Sequence, residues 1–463
     1  MDLPSDSGSY DRTRARTKHR SRISMPTVND DLPSGLDAEE FSARVFGTAE
    51  PPSGGGLELA PFRGVRFAPE VVGDLATVTT PPYDLIDAAE VRRLLASGGY
   101  NIVRLILPPT PEQARDTLHE WLAQGALTTD PEPSLYVYEV ADARKVVQRG
   151  LIGALALRAE ADRVVLPHEN VYPGPVRNRL ALMTAVQADL EPIFLVYEGD
   201  GDTADIVDET ADGTPLLSVR TDDGLEHRLW RVTEPHLHAR IAADLRPRRA
   251  LIADGHHRYA AYRTLQARHH AAGDGPGPWD HGLALLVDST RYPPYLSAIH
   301  RVLPNLPPHV AVDRAARFFQ VTPLPPDLDE AVARLADAPR PAYLLGGGDR
   351  PHLLTAPDPR RLSEAMSCGH SPRWRSLDTA VLDRLLIEEA WHVPENERSV
   401  EVVHHDPAAA LDRARRTGGT AVILNPLKVE DVLAVAGEGE RVPRKSTSFG
   451  PKPRTGLVLR LLH

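Results

Sequence analysis

The fold of this chain is organised by one stretch, Leu251-Ile252-Ala253-Asp254-Gly255-His256-His257-Arg258-Tyr259-Ala260-Ala261-Tyr262. Its first residues form a short apolar run, which predicts a buried strand. The Asp-Gly pair predicts a turn, and the segment 259–272 is rich in Ala, Leu, Gln and Arg, which favours a helix. The stretch therefore predicts a strand, a tight turn and a helix in direct succession.

The predicted turn carries side chains that can bind anions, because Asp254, His256, His257 and Arg258 lie almost side by side. A helix start presents unpaired backbone N–H groups and a partial positive charge. Gly255 permits close approach and the arginine offers a fork of donors, so this pattern predicts a phosphate site. In the alternative interpretation, the aspartate caps the helix, the glycine turns the chain and the histidines are solvated.

Composition limits the class of protein. The 463 residues are sufficient for two to three domains, with 41% hydrophobic and 25% charged residues. A net charge of −11 argues against nonspecific nucleic-acid binding. The sequence contains no apolar run of about 18 residues and no secretory signal, so we expect a cytoplasmic protein without membrane contact.

The basic residues are strongly biased, because 48 of the 53 are arginine. This bias makes an arginine weak evidence for function and makes each lysine more informative. Two of the five lysines, Lys445 and Lys452, lie close together near the C-terminal end.

The order of elements predicts an α/β or α+β fold with mixed sheets and flanking helices. Residues 1–56 are poor in apolar side chains and predict a disordered tail. We expect a main domain over residues 57–303 and a C-terminal α/β portion over 304–463, since residues 304–329 are dense in proline. The residues 346–349, Gly-Gly-Gly-Asp, predict a hairpin turn in preference to a phosphate loop.

The predicted elements follow apolar runs and cap signals along the chain. Strands are expected at 102–107, 135–140, 151–157, 164–166, 193–197, 216–220, 227–232, 283–287, 342–345, 400–404, 420–424 and 457–461. Helices are expected at 88–96, 111–124, 179–189, 235–245, 259–272, 377–390, 408–415 and 429–436.

Two further stretches could carry chemistry. His168-Glu169 follows a predicted strand and could act as an acid/base pair or as metal ligands, or could be a surface loop. The segment 444–452 contains Lys445, Ser446, Thr447 and Lys452, whose ammonium and hydroxyl groups suit a phosphate. A solvated loop is the alternative interpretation of this second segment.

Weaker candidates and metal binding complete the set. Substrate contacts are expected from five residues that stand in polar or turn contexts: Tyr83, Asp84, Asn101, His300 and Arg301. A dedicated metal centre is not predicted, because the helical His-Glu-x-x-His spacing is absent and adjacent histidines seldom bind one ion. Mg²⁺ that accompanies a nucleotide is expected instead, with oxygen from Asp254, Asp84 or Glu169.

At these residues the chain resembles the bacterial and archaeal family known as domain-of-unknown-function family 1015, from about Pro61 to Leu461. The resemblance departs from the family pattern at 177–179 and 189–191, where Asn and Ser are expected. It rests on seven stretches: 61–67, 81–84 (Pro-Pro-Tyr-Asp), 100–105, 135–139, 165–169 (Val-Leu-Pro-His-Glu), 253–259 (Ala-Asp-Gly-His-His-Arg-Tyr) and 443–447 (Pro-Arg-Lys-Ser-Thr).

The Asp-Gly-His-His-Arg motif alone is similar to the phosphate-binding motif of the ParB/sulfiredoxin superfamily, whose members include partition proteins, sulfiredoxins and a free-serine kinase. This similarity implies that Gly255, His257 and Arg258 hold nucleotide phosphates. It covers about a dozen residues and is an analogy of motif.

Together these observations predict a nucleotide-dependent phosphotransferase that uses a nucleoside triphosphate or diphosphate and acts on a small polar metabolite. His256 joins the phosphate-binding residues, and Lys445 and Lys452 neutralise developing charge. Glu169 or Asp254 is the expected general base, with His168 beside it. A nucleotide-binding switch without turnover and a metal-dependent hydrolase are the alternatives. The prediction requires distant parts of the chain, around residues 168, 257 and 445, to meet in one pocket.

Overall fold

The computed structural model describes residues 37–47, 55–367, 369–394 and 399–463. Within these ranges the chain forms a mixed α/β fold, which confirms the predicted fold class. None of the described helices combines the length and the apolarity that a membrane span requires.

Strands are distributed along almost the whole described chain. In chain order they are β1 (Leu59–Ala60), β2 (Gly64–Phe67), β3 (Leu127–Thr129), β4 (Leu135–Ala141), β5 (Val146–Ala156), β6 (Val165–Leu166), β7 (Ala188–Asp189), β8 (Ile193–Tyr197), β9 (Leu217–Arg220), β10 (Glu226–Val232), β11 (Ala250–Asp254), β12 (His281–Asp288), β13 (Tyr295–Leu296), β14 (Ile299–Leu303), β15 (Gln320–Pro323), β16 (Tyr343–Gly346), β17 (His352–Thr355), β18 (Glu401–His404), β19 (Thr420–Leu424), β20 (Phe449–Gly450) and β21 (Leu459–Leu461).

Helices alternate with these strands. They are α1 (Ala38–Gly47), α2 (Pro69–Val72), α3 (Leu75–Val78), α4 (Ala88–Ser97), α5 (Val103–Ile106), α6 (Pro111–Ala123), α7 (Pro173–Val186), α8 (Asp202–Ala211), α9 (Pro235–Leu245), α10 (His256–Ala272), α11 (Pro308–Ala315), α12 (Leu328–Asp337), α13 (Pro359–Ala365), α14 (Pro372–Arg375), α15 (Asp378–Val381), α16 (Pro407–Thr417) and α17 (Val429–Gly437). The segment Leu382–Ala390 continues α15 as a π-helix.

A large mixed sheet carries the organising stretch. Its strand order is β6-β11-β8-β12-β5-β4-β10-β9, and β1 pairs with β5 at its side. The pairs β6–β11 and β8–β12 are parallel and the other pairs are antiparallel. Strand β8 is buried at all five positions, as expected for a continuous apolar run in the middle of a covered sheet.

The second large unit is an antiparallel six-stranded sheet in the order β15-β17-β16-β19-β14-β18. The segment 346–349 joins β16 to β17, so the predicted hairpin turn is confirmed. Smaller sheets tie the C-terminal end to earlier parts of the chain: β21 lies between β2 and β7, and β20 pairs with β13. Strand pairing therefore crosses the predicted boundary at residue 304, because β14 belongs to the second sheet and β21 returns to the first half.

The predicted strand at 102–107 is wrong, because this segment contains the short helix α5. The side-chain oxygen of Asn101 accepts the N–H of Val103 at 3.0 Å and so begins the helix. A short segment with five apolar residues out of six fits a buried helical turn as well as a strand. The helix predicted at 179–189 begins earlier, at Pro173, because proline is suited to a first helical turn.

Part of the predicted N-terminal tail is ordered. Helix α1 buries Phe41 completely, and the Ser42 hydroxyl accepts the backbone N–H of Val171 at 2.7 Å. The prediction of a disordered tail is therefore corrected for residues 38–47, since one buried phenylalanine can anchor an otherwise polar helix. Residues 1–36 and 48–54 lie outside the described part of the chain.

We expect Phe41→Ala to lower the free energy of unfolding by about 3 kcal/mol, because it removes a fully buried aromatic ring. Denaturant titration measures this loss. The control is Val71→Ala, which shortens a side chain that is 44% exposed and should cost less than about 0.5 kcal/mol. Equal stability of Phe41→Ala and the unmodified protein would contradict the docking of α1.

Candidate functional site

The organising stretch folds as the sequence predicts. Strand β11 ends at Asp254, Gly255 turns the chain with φ of 99°, and α10 begins at His256. A Cβ at residue 255 would lie 2.8 Å from Cγ2 of Ile193, so both the backbone angle and the close approach require glycine.

An ion cluster closes over the end of β11. The ammonium of Lys452 pairs with Asp254 and lies 2.5 Å from Oδ2 of Asp84. The guanidinium of Arg258 reaches back four residues to Asp254 Oδ2 at 2.7 Å and donates a second bond to the carbonyl of Pro192. Three distant segments are thus joined through Asp254.

Tyr83 lies beside this cluster, between two cations. The guanidinium carbon of Arg179 lies 4.3 Å from the centre of its ring, and that of Arg258 lies 5.8 Å away. Glu191 Oε1 accepts both the backbone N–H of Tyr83 and the hydroxyl of Thr455, each at 3.1 Å. Burial raises the pKa of Tyr83, so this phenol stays protonated.

His168 and Glu169 share one partner from the C-terminal loop. The Thr447 hydroxyl donates to Glu169 Oε1 at 2.9 Å, and its oxygen lies 2.8 Å from Nε2 of His168. A hydroxyl has a single proton. When Glu169 is ionised, the Thr447 hydroxyl donates its hydrogen bond to the carboxylate, and its oxygen accepts a hydrogen bond from Nε2–H of His168. The arrangement fixes the tautomer of the histidine and the orientation of the carboxylate.

The two histidines of α10 accept backbone hydrogen bonds. Nε2 of His256 accepts the N–H of His168, and Nε2 of His257 accepts the N–H of Tyr172, both at 3.2 Å. Burial lowers the pKa of His257 to about 4, aided by the charge of Lys445, and lowers that of His256 well below its usual range. Both imidazoles are therefore neutral near pH 7.

The carboxylates of the site have opposite pKa shifts. Burial raises the pKa of Glu169 against the hydrogen bond from Thr447 and the charge of Lys445. At Asp254 burial acts in the same direction, but Lys452 and Arg258 outweigh it and the pKa is lowered. Glu169 is consequently the carboxylate that can exchange a proton closer to neutral pH, whereas Asp254 remains an anion.

The segment 444–452 is held in place from the second sheet. Arg301, buried in β14, donates to the carbonyls of Lys445 at 3.0 Å and Arg444 at 3.1 Å. Lys445 adopts a left-handed backbone conformation with φ of 56° and is exposed. The guanidinium of Arg444 lies 4.8 Å from the centre of the Tyr172 ring. This loop therefore presents one exposed ammonium next to the start of α10.

The structure brings most predicted site residues together. The segments around His168, His257 and Lys445 meet, as the contacts of Thr447 and the influence of Lys445 on the pKa of His257 show. Within the cluster, however, Arg258, His168, His256 and Ser446 are buried. Arg258 is bound to Asp254 and Pro192, so in this arrangement it positions Asp254 and does not face solvent.

Three residues that were expected to contact the substrate, Asn101, His300 and Arg301, form hydrogen bonds with backbone groups. Asn101 is buried and bonds the carbonyl of Thr77 and the N–H of Val103, which is a cap. His300 is buried in β14 and accepts the N–H of Leu424. Arg301 supports the C-terminal loop through backbone carbonyls. One reason applies to all three residues: the sequence does not distinguish a polar residue inside a packed core from a polar residue at a binding site.

Arg179, Glu191 and Tyr172 also lie at the site, although no motif in the sequence singles them out. The first two lie in the stretches where the chain departs from the family pattern, and Tyr172 follows His168-Glu169 closely in sequence. Their ring and carboxylate contacts with Tyr83 and His257 depend on the packing of α7 against α10, which no local pattern reveals.

In the part of the chain that the structure describes, no group of three or more His, Cys, Asp or Glu side chains is arranged to hold a metal ion. The oxygens of Asp84 and Asp254 instead converge on the ammonium of Lys452.

The sequence from residue 59 to residue 380 matches the model of a family described as Protein of unknown function (DUF1015), which is more than half of the chain. The predicted family is thereby confirmed, and six of the seven motif stretches lie within the matched residues. No curated protein matches the sequence.

Solved structures give a more distant likeness, each with 13% sequence identity. SbnI from Staphylococcus aureus with a C-terminal truncation has a TM-score of 0.34, covering 66% of this chain and 85% of that chain. A free serine kinase in complex with AMP has a TM-score of 0.33, and the match covers 66% of this chain and 88% of that chain. A conserved hypothetical protein from Pyrococcus furiosus has a TM-score of 0.31, and the match covers 67% of this chain and 93% of that chain. At these scores the likeness supports no argument about function.

The buried histidines predict how stability depends on pH. A histidine whose pKa falls on folding binds more protons in the unfolded chain, so stability decreases as pH falls from about 6.5 towards 4. Burial lowers the pKa of His168 to about 3. We therefore expect His168→Gln to flatten the fall in unfolding free energy between pH 7 and pH 4.5. Exposed His236→Gln is the control and should keep the original slope.

Lys452→Met should lower the free energy of unfolding by about 3 kcal/mol, because it leaves the largely buried carboxylate of Asp254 without this cation. Asp84→Asn should cost less than about 1 kcal/mol, since the Asp84 side chain is 37% exposed. Denaturant titration of the two variants distinguishes them, and equal losses would contradict the central place of Asp254.

Proposed function

The chain belongs to the family described as Protein of unknown function (DUF1015), and we propose from its site that it is a nucleotide-dependent phosphotransferase acting on the hydroxyl of a small polar metabolite. One observation carries this proposal. The glycine-started helix α10, the exposed Lys445 and a carboxylate of raised pKa, Glu169, lie close together, since Thr447 of the C-terminal loop contacts Glu169 and the charge of Lys445 acts on His257 of α10.

The helix start and the lysine suit the phosphates. A helix start presents backbone N–H groups that suit an anion, and α10 begins directly after Gly255, which has no side chain. The imidazoles of His256 and His257 are neutral, so they neither repel nor neutralise an anion. In the described residues Lys445 has no carboxylate partner, which leaves its charge available to a phosphate.

Glu169 suits the role of general base. Its pKa is raised, so its carboxylate takes up a proton more readily than an ordinary glutamate. In the proposed reaction the substrate hydroxyl gives its proton to Glu169 while its oxygen forms a bond to the terminal phosphorus. The bond from phosphorus to the bridging oxygen breaks, and the leaving nucleotide keeps the electron pair. Thr447 and His168 hold the carboxylate in position.

Mg²⁺ fits the oxygen-rich side of this site. Asp84 and Asp254 hold the ammonium of Lys452, so an ion at these oxygens requires Lys452 to move onto the phosphates. Hard divalent cations take such oxygen ligands together with phosphates. When bound, the ion would neutralise phosphate charge and orient the terminal group.

Two variants test the proposal. ATP, ADP, CTP and GTP are titrated calorimetrically with MgCl₂, and we expect at least one to bind. Lys445→Ala should weaken that nucleotide about tenfold, because it removes a charge-assisted bond to phosphate. Lys145→Ala, an exposed lysine in the hairpin between β4 and β5, is the matched control and should bind normally.

Glu169→Gln should retain nucleotide binding and lose phosphoryl transfer about 10²-fold or more across a panel of hydroxyl metabolites. Formation of nucleoside diphosphate and phosphorylated product is followed by ³¹P NMR. Tight nucleotide binding without any product in the unmodified protein would instead favour a regulatory nucleotide switch.

A further inference from the structure

A second cavity adjoins the candidate site. It has a volume of about 670 Å³, which lies within the range of small-molecule pockets, roughly 300 to 1,000 Å³. Asn170, directly after Glu169, and Arg444, directly before Lys445, form part of its wall. The cavity therefore adjoins the segments that carry Glu169 and Lys445, and one extended ligand could contact both.

A stacked aromatic pair forms one part of the wall. The rings of His370 and Trp374 lie 3.9 Å apart and nearly parallel, at 16°. Trp374 is fixed by a hydrogen bond from Nε1 to the carbonyl of Arg441 at 2.7 Å. The His370 side chain is 38% exposed, so it offers an accessible face on top of a rigid support. A flat ring can stack on such a face.

The opposite part of the wall is a π-helix. Asp383, Arg384 and Ile387 of the π-helical segment Leu382–Ala390 line the cavity. Helices of this type are rare and occur frequently at functional sites, because their hydrogen bonding is less favourable than that of an α-helix. Neighbouring Val393 adds an apolar surface.

Glu440 gives the cavity a directional contact. Its Oε1 accepts the N–H of Ser371 at 2.9 Å and lies 3.1 Å from Nδ1 of His370. Its Oε2 is buried and has no hydrogen-bond partner within the described residues. Burial raises its pKa, but the contacts of Ser371 and His370 outweigh burial and lower it, so the group is an anion. A buried carboxylate oxygen of this kind calls for an N–H or O–H donor.

The charges assign an orientation to a ligand. The cavity wall carries four carboxylates and three guanidinium groups, so its charges nearly cancel and it suits an uncharged group better than a phosphate; they belong to Glu39, Asp383, Glu388, Glu440, Arg384, Arg441 and Arg444. The exposed cation Lys445 and the start of α10 lie at the other end. A molecule with a neutral planar group at one end and an anionic group at the other suits both the cavity and the start of α10, whereas a small anion suits only the start of α10.

We propose that this cavity holds the nucleoside half of the nucleotide, with the base against His370 and its amino or hydroxyl donors directed to Glu440. This inference rests on the proposed function, since it assigns the phosphates to α10 and Lys445. Arg444 and Tyr172 form the passage between the two halves, because the arginine lies over the tyrosine ring and the tyrosine stacks on His257 at 6.3 Å.

The test compares ligands with and without a nucleoside. ATP, CTP, GTP and inorganic tripolyphosphate are titrated calorimetrically with MgCl₂ into the full chain. We expect at least one nucleotide to bind about tenfold tighter than tripolyphosphate, because the latter cannot use the cavity. Glu440→Gln and His370→Ala should each weaken that nucleotide about tenfold and leave tripolyphosphate unchanged. Lys445→Ala should weaken both ligands.

Matched controls separate the possible outcomes. Glu364→Gln changes an exposed glutamate of α13 and should keep the preference for the nucleotide. Thermal midpoints check that each variant is folded. If nucleotide and tripolyphosphate bind but the two cavity variants keep the preference, the cavity assignment is overturned and the proposed function stands. If neither ligand binds the unmodified protein, the proposed function and the inference fail together.

Discussion

The ammonium of Lys452 lies between Asp84 and Asp254, and the arrangement of the site depends on this contact. Asp84 and Lys452 are 368 residues apart, so the contact ties the two ends of the folded region together. A largely buried cation must be paired, because burial removes most of its solvation. The strand end of β11, the turn at residue 84 and the C-terminal loop are therefore required to meet at one point.

This constraint explains which parts of the site could be predicted from sequence. The strand, turn and helix at residues 250–272 follow from local chemistry, since only glycine fits φ of 99° beside Ile193. Membership of the family rests equally on short motifs. The contacts of Thr447 with Glu169 and His168 join residues more than 270 positions apart, and no periodicity encodes such a pairing.

Sequence does not show which polar residues are buried. Asn101 and His300 carry polar groups like those of a site, yet both satisfy backbone groups inside packed elements. Arg258 is a clearer case: its position next to Gly255 indicates phosphate binding, whereas its fork is bound to Asp254 and Pro192. Conversely, Phe41 showed no pattern around it and still anchors a helix.

The charges around α10 nearly cancel, and this balance bears on the chemistry. Asp84 and Asp254 offset Lys452 and Arg258, and the histidines are neutral because they are buried. The positive charge of Lys445 and the negative charge of an ionised Glu169 also offset each other, so these groups together carry no net charge. A polyphosphate carries several negative charges, and one lysine with a helix start neutralises only part of them. Any further charge on such a ligand has to be balanced by a group that the ligand brings with it, because Asp84 and Asp254 already hold Lys452 and Arg258.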